Sequence, residues 1–252
     1  PERTSTIRGG MRFPVGKLPQ NILAELLERN TIKDRRVIVG PAVGEDAAVV
    51  DNGGPNYFIV KTDPISFATE RIGWYGVNVN ANDIASMGGR PLWFLATVLL
   101  PQNLTERADV DAIFEDILEA CRHLGISLIG GHTEITYDLN RPILVGQMLG
   151  EVPKDKLIRT AGARVGDLLI LTKGIAVEGT ALIAQKKTRE LGTVFGNAWV
   201  TRARNYLFQP GISLLKEAMA AADAGGVHSM HDPTEGGVAT GLHEIASAAK
   251  VA

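Results

Sequence analysis

One stretch of small apolar residues constrains this chain more than any other, because it contains two amides and a carboxylate. It runs from Asn80 to Pro91 and places Asn82 and Asp83 directly before Ile84. Its composition suits the interior of a protein, where an unpaired charge costs roughly several kcal/mol. A carboxylate in such a place has a hydrogen-bonding network, a cation or a ligand as its partner. The sequence therefore predicts a partner for Asp83.

The composition indicates a soluble globular protein of one large domain or two ordinary ones. Of the 252 residues, 45% are hydrophobic and 21% are charged, and these fractions are close to the average for globular proteins. The net charge of −2 argues against a nucleic-acid-binding surface, which would be basic. The single cysteine, Cys121, excludes an internal disulfide framework and fits a reducing compartment.

No apolar run in the sequence approaches the ~20 residues of a membrane-spanning helix. The longest run, Leu92 to Leu100, has the length of a strand, and there is no secretory signal pattern. Residues 1–10 carry no structural pattern. We therefore predict a cytoplasmic protein that binds neither membranes nor nucleic acid.

Hydrophobic periodicity predicts a mixture of strands and helices in the first 152 residues. The predicted strands are Val37–Gly44, Ala47–Val50, Tyr57–Thr62, Leu92–Leu100, Ile126–Ile129 and Ile143–Val152. The predicted helices are Leu18–Glu28, Arg71–Met87 and a third that begins after Thr105, which can cap it. Cys121 lies on the apolar stripe of this third helix, so we expect a core residue rather than a reactive thiol.

The remainder of the chain is predicted to be mostly helical. The predicted helices cover residues 177–187, 198–207, 212–223 and 235–249, and the predicted strands are Leu168–Thr172 and, more weakly, Val227–Met230. A change in composition between residues 151 and 166 predicts a boundary, with domains at residues 17–152 and 160–252. One or two strands make a poor sheet, so we expect the second domain to be incomplete in this chain or to depend on another chain.

Four polar clusters fall at the ends of predicted strands and helices. They are Asp46, Asp63, Asn82 with Asp83, and His132 to Glu134. Carboxylates that converge at such ends can hold Mg²⁺, which prefers oxygen ligands and bridges to substrate phosphates. The alternative is that each acid forms a turn or caps a helix. That alternative is weaker for the whole set, because Asp63 and Asp83 adjoin apolar segments.

The segment from Asp232 to Gly237 precedes the last predicted helix. Asp232 or Thr234 can cap that helix, and the backbone N–H groups at a helix start favour anions such as phosphate. The paired glycines, Gly236 and Gly237, indicate the close approach of another group. The sequence contains neither a P-loop nor a Gly-x-Gly-x-x-Gly fingerprint, and His132 has no Cys or His partners at the spacing of a zinc site.

Taken in order, five of these segments resemble the ATP-binding superfamily of aminoimidazole ribonucleotide synthase. They are Gly44–Val49, Thr62–Asp63, Asn82–Pro91, Gly130–Thr133 and Asp232–Gly237. The superfamily includes thiamine-monophosphate kinase, selenophosphate synthetase and the hydrogenase-maturation protein HypE. The chain is most similar in overall appearance to HypE and HypE-like proteins.

The resemblance implies an α/β (α+β) fold of the PurM-like type. An N-terminal mixed sheet would pair with its copy in a homodimer to form a barrel, and a C-terminal α/β domain would pack alongside with Mg-ATP in the cleft. By position, Asp46, Asp63 and Asp83 would bind Mg²⁺, with Asp83 as the catalytic residue. The residues that would contact the nucleotide are Asn82, Gly130, Gly131, His132, Thr133, Asp232, Thr234, Gly236 and Gly237.

The resemblance also implies an enzyme that uses Mg-ATP to activate an amide- or acid-type oxygen by phosphorylation, as in hydrogenase maturation. The acceptor would be a small molecule or a protein-borne group, and a HypE-type reaction would involve a maturation partner protein. His132 departs from HypE, which has an acid at that position. The alternatives are a HypE-like paralogue with another acceptor, a small-molecule kinase similar to thiamine-monophosphate kinase, and a nucleotide-binding partner or sensor without turnover.

Overall fold

The computed structural model describes residues 13–31 and 33–251, so residues 1–10, which have no recognisable sequence pattern, lie outside the described part of the chain. The strands are β1 (Val37–Val39), β2 (Ala48–Asp51), β3 (Asn56–Ile65), β4 (Arg90–Pro101), β5 (Ser127–Thr136) and β6 (Ile143–Pro153). The helices are α1 (Gln20–Glu28), α2 (Ile72–Ser86), α3 (Arg107–Leu124), α4 (Val177–Lys186), α5 (Thr188–Phe195), α6 (Asn197–Arg204), α7 (Leu215–Ala224) and α8 (Gly237–Ala249).

The six strands form one mixed sheet in the order β1-β2-β3-β6-β4-β5. Strands β4 and β5 are parallel, and the other neighbouring pairs are antiparallel. One row of the sheet runs from Asp63 of β3 through Gly146 of β6 and Ala96 of β4 to Gly131 of β5. A mixed sheet with helices on one face confirms the predicted α/β fold class.

Helix α2 packs on strands β3, β4 and β6, and α3 packs on α2. Because side chains alternate along a strand, Ile59, Lys61 and Asp63 of β3 share the face that meets α2. Ile59 is fully buried there, whereas Val60, between Ile59 and Lys61, faces the other side and is 38% exposed. Lys61 and Asp63 therefore place two charges in a layer that otherwise forms the hydrophobic core.

Helix α2 was predicted to end at Met87, and its last residue is Ser86, with Met87 as the C-cap and a pair of glycines directly after it. Gly88 has a φ of +74°, and its N–H donates to the carbonyl of Ala85. A Cβ at Gly88 would lie 2.8 Å from the carbonyl oxygen of Lys156. Only glycine meets both conditions without strain. The end of α2 is thereby held against the chain that follows β6, which fixes the position of Asp83 one turn earlier.

Strand β5 corrects one prediction. The strand predicted at Ile126–Ile129 was expected to end before a glycine turn at Gly130, but it continues to Thr136. Pairing with β4 explains the difference, because a Cβ at Gly131 would lie 1.9 Å from the carbonyl oxygen of Ala96. The glycine serves a close approach between two strands rather than a turn.

Three further predictions for the N-terminal region concern the cap of α3, the end of β1 and the environment of Cys121. Glu106, not Thr105, is the N-cap of α3 and forms a capping box with Asp109, while the Thr105 hydroxyl donates to the carbonyl of Pro101. Strand β1 ends at Val39, five residues before the predicted end at Gly44. The prediction for Cys121 is confirmed, since the thiol is buried in the core and burial raises its pKa to about 11.

The C-terminal region departs more from the prediction. Among the described residues after Pro153, neither Leu168–Thr172 nor Val227–Met230 is a strand. Leu168, Leu169 and Ile170 are 89%, 73% and 86% exposed, because no neighbouring strand in the described chain provides backbone partners for them. Helix α5 was not predicted, whereas the other four helices of this region lie close to their predicted positions. No helix in residues 13–31 or 33–251 has the length and hydropathy to cross a membrane.

Candidate functional site

Strand β3 supplies the lysine at the centre of the candidate site. The Lys61 ammonium lies 3.0 Å from Oδ1 of Asp83 and 3.4 Å from Oδ2 of Asp63. It also donates to the backbone carbonyl of Asp46 at 2.8 Å. Burial alone would lower the pKa of Lys61, but the charges of Asp83 and Asp63 outweigh this effect and raise it. Lys61 therefore stays charged at neutral pH.

Asp83 lies on α2 and is only 4% exposed. Its Oδ1 atom contacts Lys61, whereas its Oδ2 atom is buried and has no hydrogen-bond partner. Burial raises the pKa of Asp83 well above its usual value, and the nearby Asp232 carboxylate raises it further, against the opposing effect of Lys61. Lys61 is thus one partner of the Asp83 carboxylate, whose burial the sequence predicted. The Oδ2 atom remains available to a second partner.

Asp46 lies in the loop before β2 and connects the sheet to the C-terminal region. Its Oδ1 atom is 2.5 Å from Nδ1 of His231, and its Oδ2 atom accepts a hydrogen bond from the hydroxyl of Thr160 at 3.3 Å. The other ring nitrogen of His231 lies 2.9 Å from Glu244 on α8, and Glu244 also pairs with Lys17 at 3.1 Å. Two regions distant in sequence therefore meet at one carboxylate.

The charge of His231 follows from these contacts. Burial by itself would lower the pKa of His231, but the hydrogen bond and charge of Asp46, together with Glu244, raise it to about 9. Its neighbour Asp232 is 5% exposed. Burial and the charge of Asp46 raise the pKa of Asp232. Ligand atoms of Asp46, His231 and Asp232 all lie within 4.8 Å of one another.

Asn80, one turn before Asp83 on α2, positions the last carboxylate of the group. Its Oδ1 atom accepts the backbone N–H of Asp63 at 2.9 Å, and its amide donates to the carbonyl of Gly76 at 2.8 Å. A Cβ at Gly146 would lie 2.3 Å from Nδ2 of Asn80. Glycine at position 146 therefore lets the helix approach the sheet closely enough for this contact.

The side chain of Asn82 forms its hydrogen bonds with backbone groups and not with the site carboxylates. Its amide donates to the carbonyl of Ile212 at 2.9 Å, and its Oδ1 atom accepts the N–H of Leu214 at 2.7 Å. Asn82 is 7% exposed, so these two hydrogen bonds satisfy a buried amide. They join α2 to the segment before α7, and a role of Asn82 in nucleotide binding stays a prediction.

The four predicted nucleotide contacts on β5 lie at the edge of the sheet. Gly130, Gly131, His132 and Thr133 are all exposed, and His132 pairs with Glu134 at 3.2 Å. Gly131 is three strands away from Asp63 in the same row, a separation of roughly 14 Å at about 4.8 Å per strand. These residues do not touch the carboxylates, and only an extended ligand could contact both groups.

The glycines near α8 occupy the start of that helix. Gly236 is the N-cap, and neither Asp232 nor Thr234 caps α8 through its side chain, so that prediction is wrong. Asp232 instead points to the carboxylate group, whereas Thr234, Gly236 and Gly237 are exposed. The N–H groups in the first turn of α8 are thus left without a side-chain cap, and a helix start of this kind favours an anion.

Four carboxylates and two cations make up the group. The carboxylates belong to Asp46, Asp63, Asp83 and Asp232, and the cations are Lys61 and His231. With the four carboxylates ionised and both Lys61 and His231 protonated, two negative charges remain uncompensated, while Glu244 beside His231 is balanced by Lys17. A divalent cation with a preference for oxygen ligands balances them, and the unpartnered Oδ2 atom of Asp83 offers such a ligand. The residues present therefore fit Mg²⁺.

Sequence reasoning placed the aspartates but missed Lys61, Asn80, His231 and Glu244 as members of the site. Lys61 carried a usable signal, because the period of two along β3 puts it on the same face as Ile59 and Asp63. Asn80 stands at the start of the apolar stretch that ends at Pro91 and contains Asp83. His231 and Glu244 carried no such signal, since they meet only after α8 folds against the loop of Asp46.

Comparison with known proteins assigns the chain to a family. Residues 44–152 match the family model "AIR synthase related protein, N-terminal domain", and residues 164–252 match the model of the corresponding C-terminal domain. The selenide, water dikinase of Aeromonas hydrophila is 32% identical over 84% of the chain and 59% of its own length. The carbamoyl dehydratase HypE of Cupriavidus necator is 29% identical over 81% of the chain and 57% of its own length.

The chain thus spans less than two thirds of the length of these relatives. Among solved structures, AaThiL complexed with AMPPCP and TMP superposes with a TM-score of 0.69 and 19% identity over 91% of the chain and 69% of its own length. This likeness confirms the PurM-like fold. Together, the mixed sheet, the matched segments and the relatives show that the chain belongs to the AIR synthase related protein family.

Proposed function

We propose that the chain is the ATP- and Mg²⁺-binding part of an enzyme that transfers a phosphoryl group. The observation that supports this proposal most strongly is the convergence of Asp46, Asp63, Asp83 and Asp232 around Lys61. These four aspartates come from a loop, a strand, a helix and a second region of the chain. Turn formation or helix capping at separate places would not bring them together.

Each residue has a distinct role in the proposed site. Asp46, Asp63 and Asp83 would hold the metal, which when bound would neutralise phosphate charge, and Asp232 would close the site from the C-terminal region. The uncapped first turn of α8, at Gly236 and Gly237, would face the phosphates. The exposed residues of β5 would contact the remainder of the nucleotide.

Catalysis would then depend on position and charge. The protein would align the acceptor oxygen with the γ-phosphorus, and ADP would leave as the bond to the acceptor forms. The buried position of Asp83, 4% exposed, excludes water and strengthens electrostatic interactions within the site. Asp83 is the catalytic residue of this proposal because, of the four site aspartates, it is the one with a buried oxygen that has no hydrogen-bond partner among the described residues.

Among acceptors, the proposal favours an amide- or acid-type oxygen of the HypE type. The similarity to HypE of Cupriavidus necator supports it, and such an acceptor would be a group carried by a maturation partner protein. The fold likeness to AaThiL keeps a small-molecule kinase as the second candidate. A homodimer is part of either version, since no helix within residues 13–31 or 33–251 covers Val60 and its neighbours on the face of the sheet opposite α2.

Calorimetry with Mg-ATP and a phosphate-release assay test the proposal together. Saturable binding of Mg-ATP and release of phosphate, both dependent on Mg²⁺, are the expected results. ADP formation without phosphate release would favour the kinase, and binding without either product, with every candidate acceptor, would favour a nucleotide sensor instead. Absence of binding at millimolar Mg-ATP would refute the proposed function as a whole.

A further inference from the structure

Lys61 occupies the place between the carboxylates where a metal ion would be expected. Its ammonium lies within 3.4 Å of oxygens from both Asp63 and Asp83, and it donates to the carbonyl of Asp46. Three of the aspartates proposed to hold Mg²⁺ thus contribute an oxygen to one lysine. An ammonium and a divalent cation repel each other, so they compete for these oxygens.

We propose that Lys61 makes metal binding conditional on nucleotide binding. Without nucleotide, its ammonium compensates Asp63 and Asp83 and competes with Mg²⁺ for them. With nucleotide present, the ammonium turns to the phosphates. The metal then binds the oxygens of Asp63 and Asp83 that the ammonium has left. This inference rests on the proposed function. It assigns the coupling between metal binding and nucleotide binding to Lys61.

The geometry of Lys61 permits this exchange. Its side chain is 19% exposed, so the lysine is not enclosed on every side. A lysine ends in a compact charge on a flexible stem of four carbons and can turn without a change in the backbone. The free Oδ2 atom of Asp83 gives the metal an initial ligand that Lys61 does not occupy. A phosphate group then offers the displaced ammonium a new partner of the same charge as the carboxylates.

A purely structural role for Lys61 makes a different prediction. If the lysine only stabilises the fold by pairing with Asp83, its removal would leave a buried carboxylate unpaired and would loosen the site. Metal affinity would then fall or stay unchanged. If Lys61 competes with the metal, removal of its charge strengthens metal binding in the absence of nucleotide. The direction of the change separates the two roles.

The experiment measures Mn²⁺ binding by electron paramagnetic resonance, with and without a non-hydrolysable ATP analogue. The variants are Lys61→Met, which removes the charge, and Lys61→Arg, which retains it. Lys186→Met, at an exposed position on α4, is the matched control. In Lys61→Met we expect about tenfold tighter Mn²⁺ binding without nucleotide. The gain in affinity caused by the analogue should shrink, because coupling between two ligands is reciprocal.

In Lys61→Arg and Lys186→Met, the gain caused by the analogue should remain within about threefold of that in the wild-type protein. Unchanged or weaker Mn²⁺ binding in Lys61→Met without nucleotide would overturn the inference. The proposed function would still be supported if the wild-type protein binds Mn²⁺ tightly with the analogue. No Mn²⁺ binding by the wild-type protein with the analogue would refute both. If Lys61→Met does not fold, Lys61→Gln gives the same readouts with a donor retained for the Asp46 carbonyl.

Discussion

The two walls of the candidate site are built in different ways. The N-terminal wall consists of β3 and α2, where Ile59 and Ile84 are fully buried and hold Lys61 and Asp83 between sheet and helix. The C-terminal wall consists of His231 and Asp232, in a segment before α8 that belongs to no strand. The first wall is therefore fixed by packing, and the second is fixed mainly by ionic contacts to Asp46 and Glu244.

The same contrast appears in the apolar residues of the two regions. The strands of the N-terminal region bury their apolar face under α2, whereas Leu168, Leu169 and Ile170 are more than 70% exposed. An apolar run becomes a strand only when neighbouring strands satisfy its backbone groups. The comparison shows that a correct sequence pattern is not sufficient where the described chain provides no partner strand.

Stability measurements should show the largest difference between the two regions. Ile84→Ala in α2 removes a side chain that is 0% exposed and should lower the free energy of unfolding by about 2–5 kcal/mol. The same change at Ile170, which is 86% exposed, should alter it by less than about 0.5 kcal/mol. Urea denaturation followed by circular dichroism measures both. Equal losses would show that residues 168–171 are packed in solution.

Activity measurements test whether both walls are needed. Asp83→Asn and Asp232→Asn each remove one carboxylate and retain its volume, so each should reduce phosphate release by about 100-fold or more. Asp223→Asn, an exposed acid on α7, is the control and should remain close to the wild-type rate. If Asp83→Asn is inactive while Asp232→Asn retains the wild-type rate, the C-terminal wall is not part of the site.

Asn82 connects α2 to the segment before α7. A change at this residue tests the connection separately from the carboxylates of the site. Asn82→Ala leaves the N–H of Leu214 and the carbonyl of Ile212 without their partner, which should cost about 2 kcal/mol of stability. Asn140→Ala, at an exposed loop position, should cost little. We expect Mg-ATP affinity to change by less than about threefold at low temperature, where both variants are folded. A tenfold loss of affinity with unchanged stability would instead support the predicted contact between Asn82 and nucleotide.

The smallest expected effect is a pH dependence within the N-terminal region, away from the site. Burial raises the pKa of Asp116 on α3 to about 6, against the opposing effect of Arg71. Between the unfolded value near 3.8 and this pKa, the folded state binds more protons, so this group makes the protein less stable as pH rises. The stability of Asp116→Asn relative to wild type should therefore increase by on the order of 1 kcal/mol from pH 4 to pH 7. A constant difference in unfolding free energy across that range would contradict the raised pKa.

The parts of this fold that are local in sequence could be predicted from it. The helix from Ile72 to Ser86, its glycine stop at Gly88 and the strands on both sides follow from periodicity and glycine chemistry. The buried carboxylate of Asp83 was also predictable, because a charge in an apolar stretch requires a partner. Each of these features depends on residues within about one turn or one strand pair of one another.

The parts that depend on long-range contacts could not be predicted in the same way. His231 meets Asp46 across 185 positions of the chain, and no local pattern indicates that pair. Gly131 appeared to be a turn residue because glycine serves both turns and close strand approaches, and only the pairing with Ala96 distinguishes them. The observed partner of Asp83 is Lys61. The alternation of side chains along β3 predicts which face Lys61 lies on, but it does not predict the contact with Asp83.

The most direct test of the two-walled site is the position of the metal in a crystal. Mn²⁺ can be located by its anomalous scattering in crystals grown with a non-hydrolysable ATP analogue. We expect a peak at about 2.2 Å from carboxylate oxygens of Asp83 and at least one of Asp46, Asp63 and Asp232, next to the analogue phosphates. A nucleotide bound with its metal away from these aspartates would contradict this expectation.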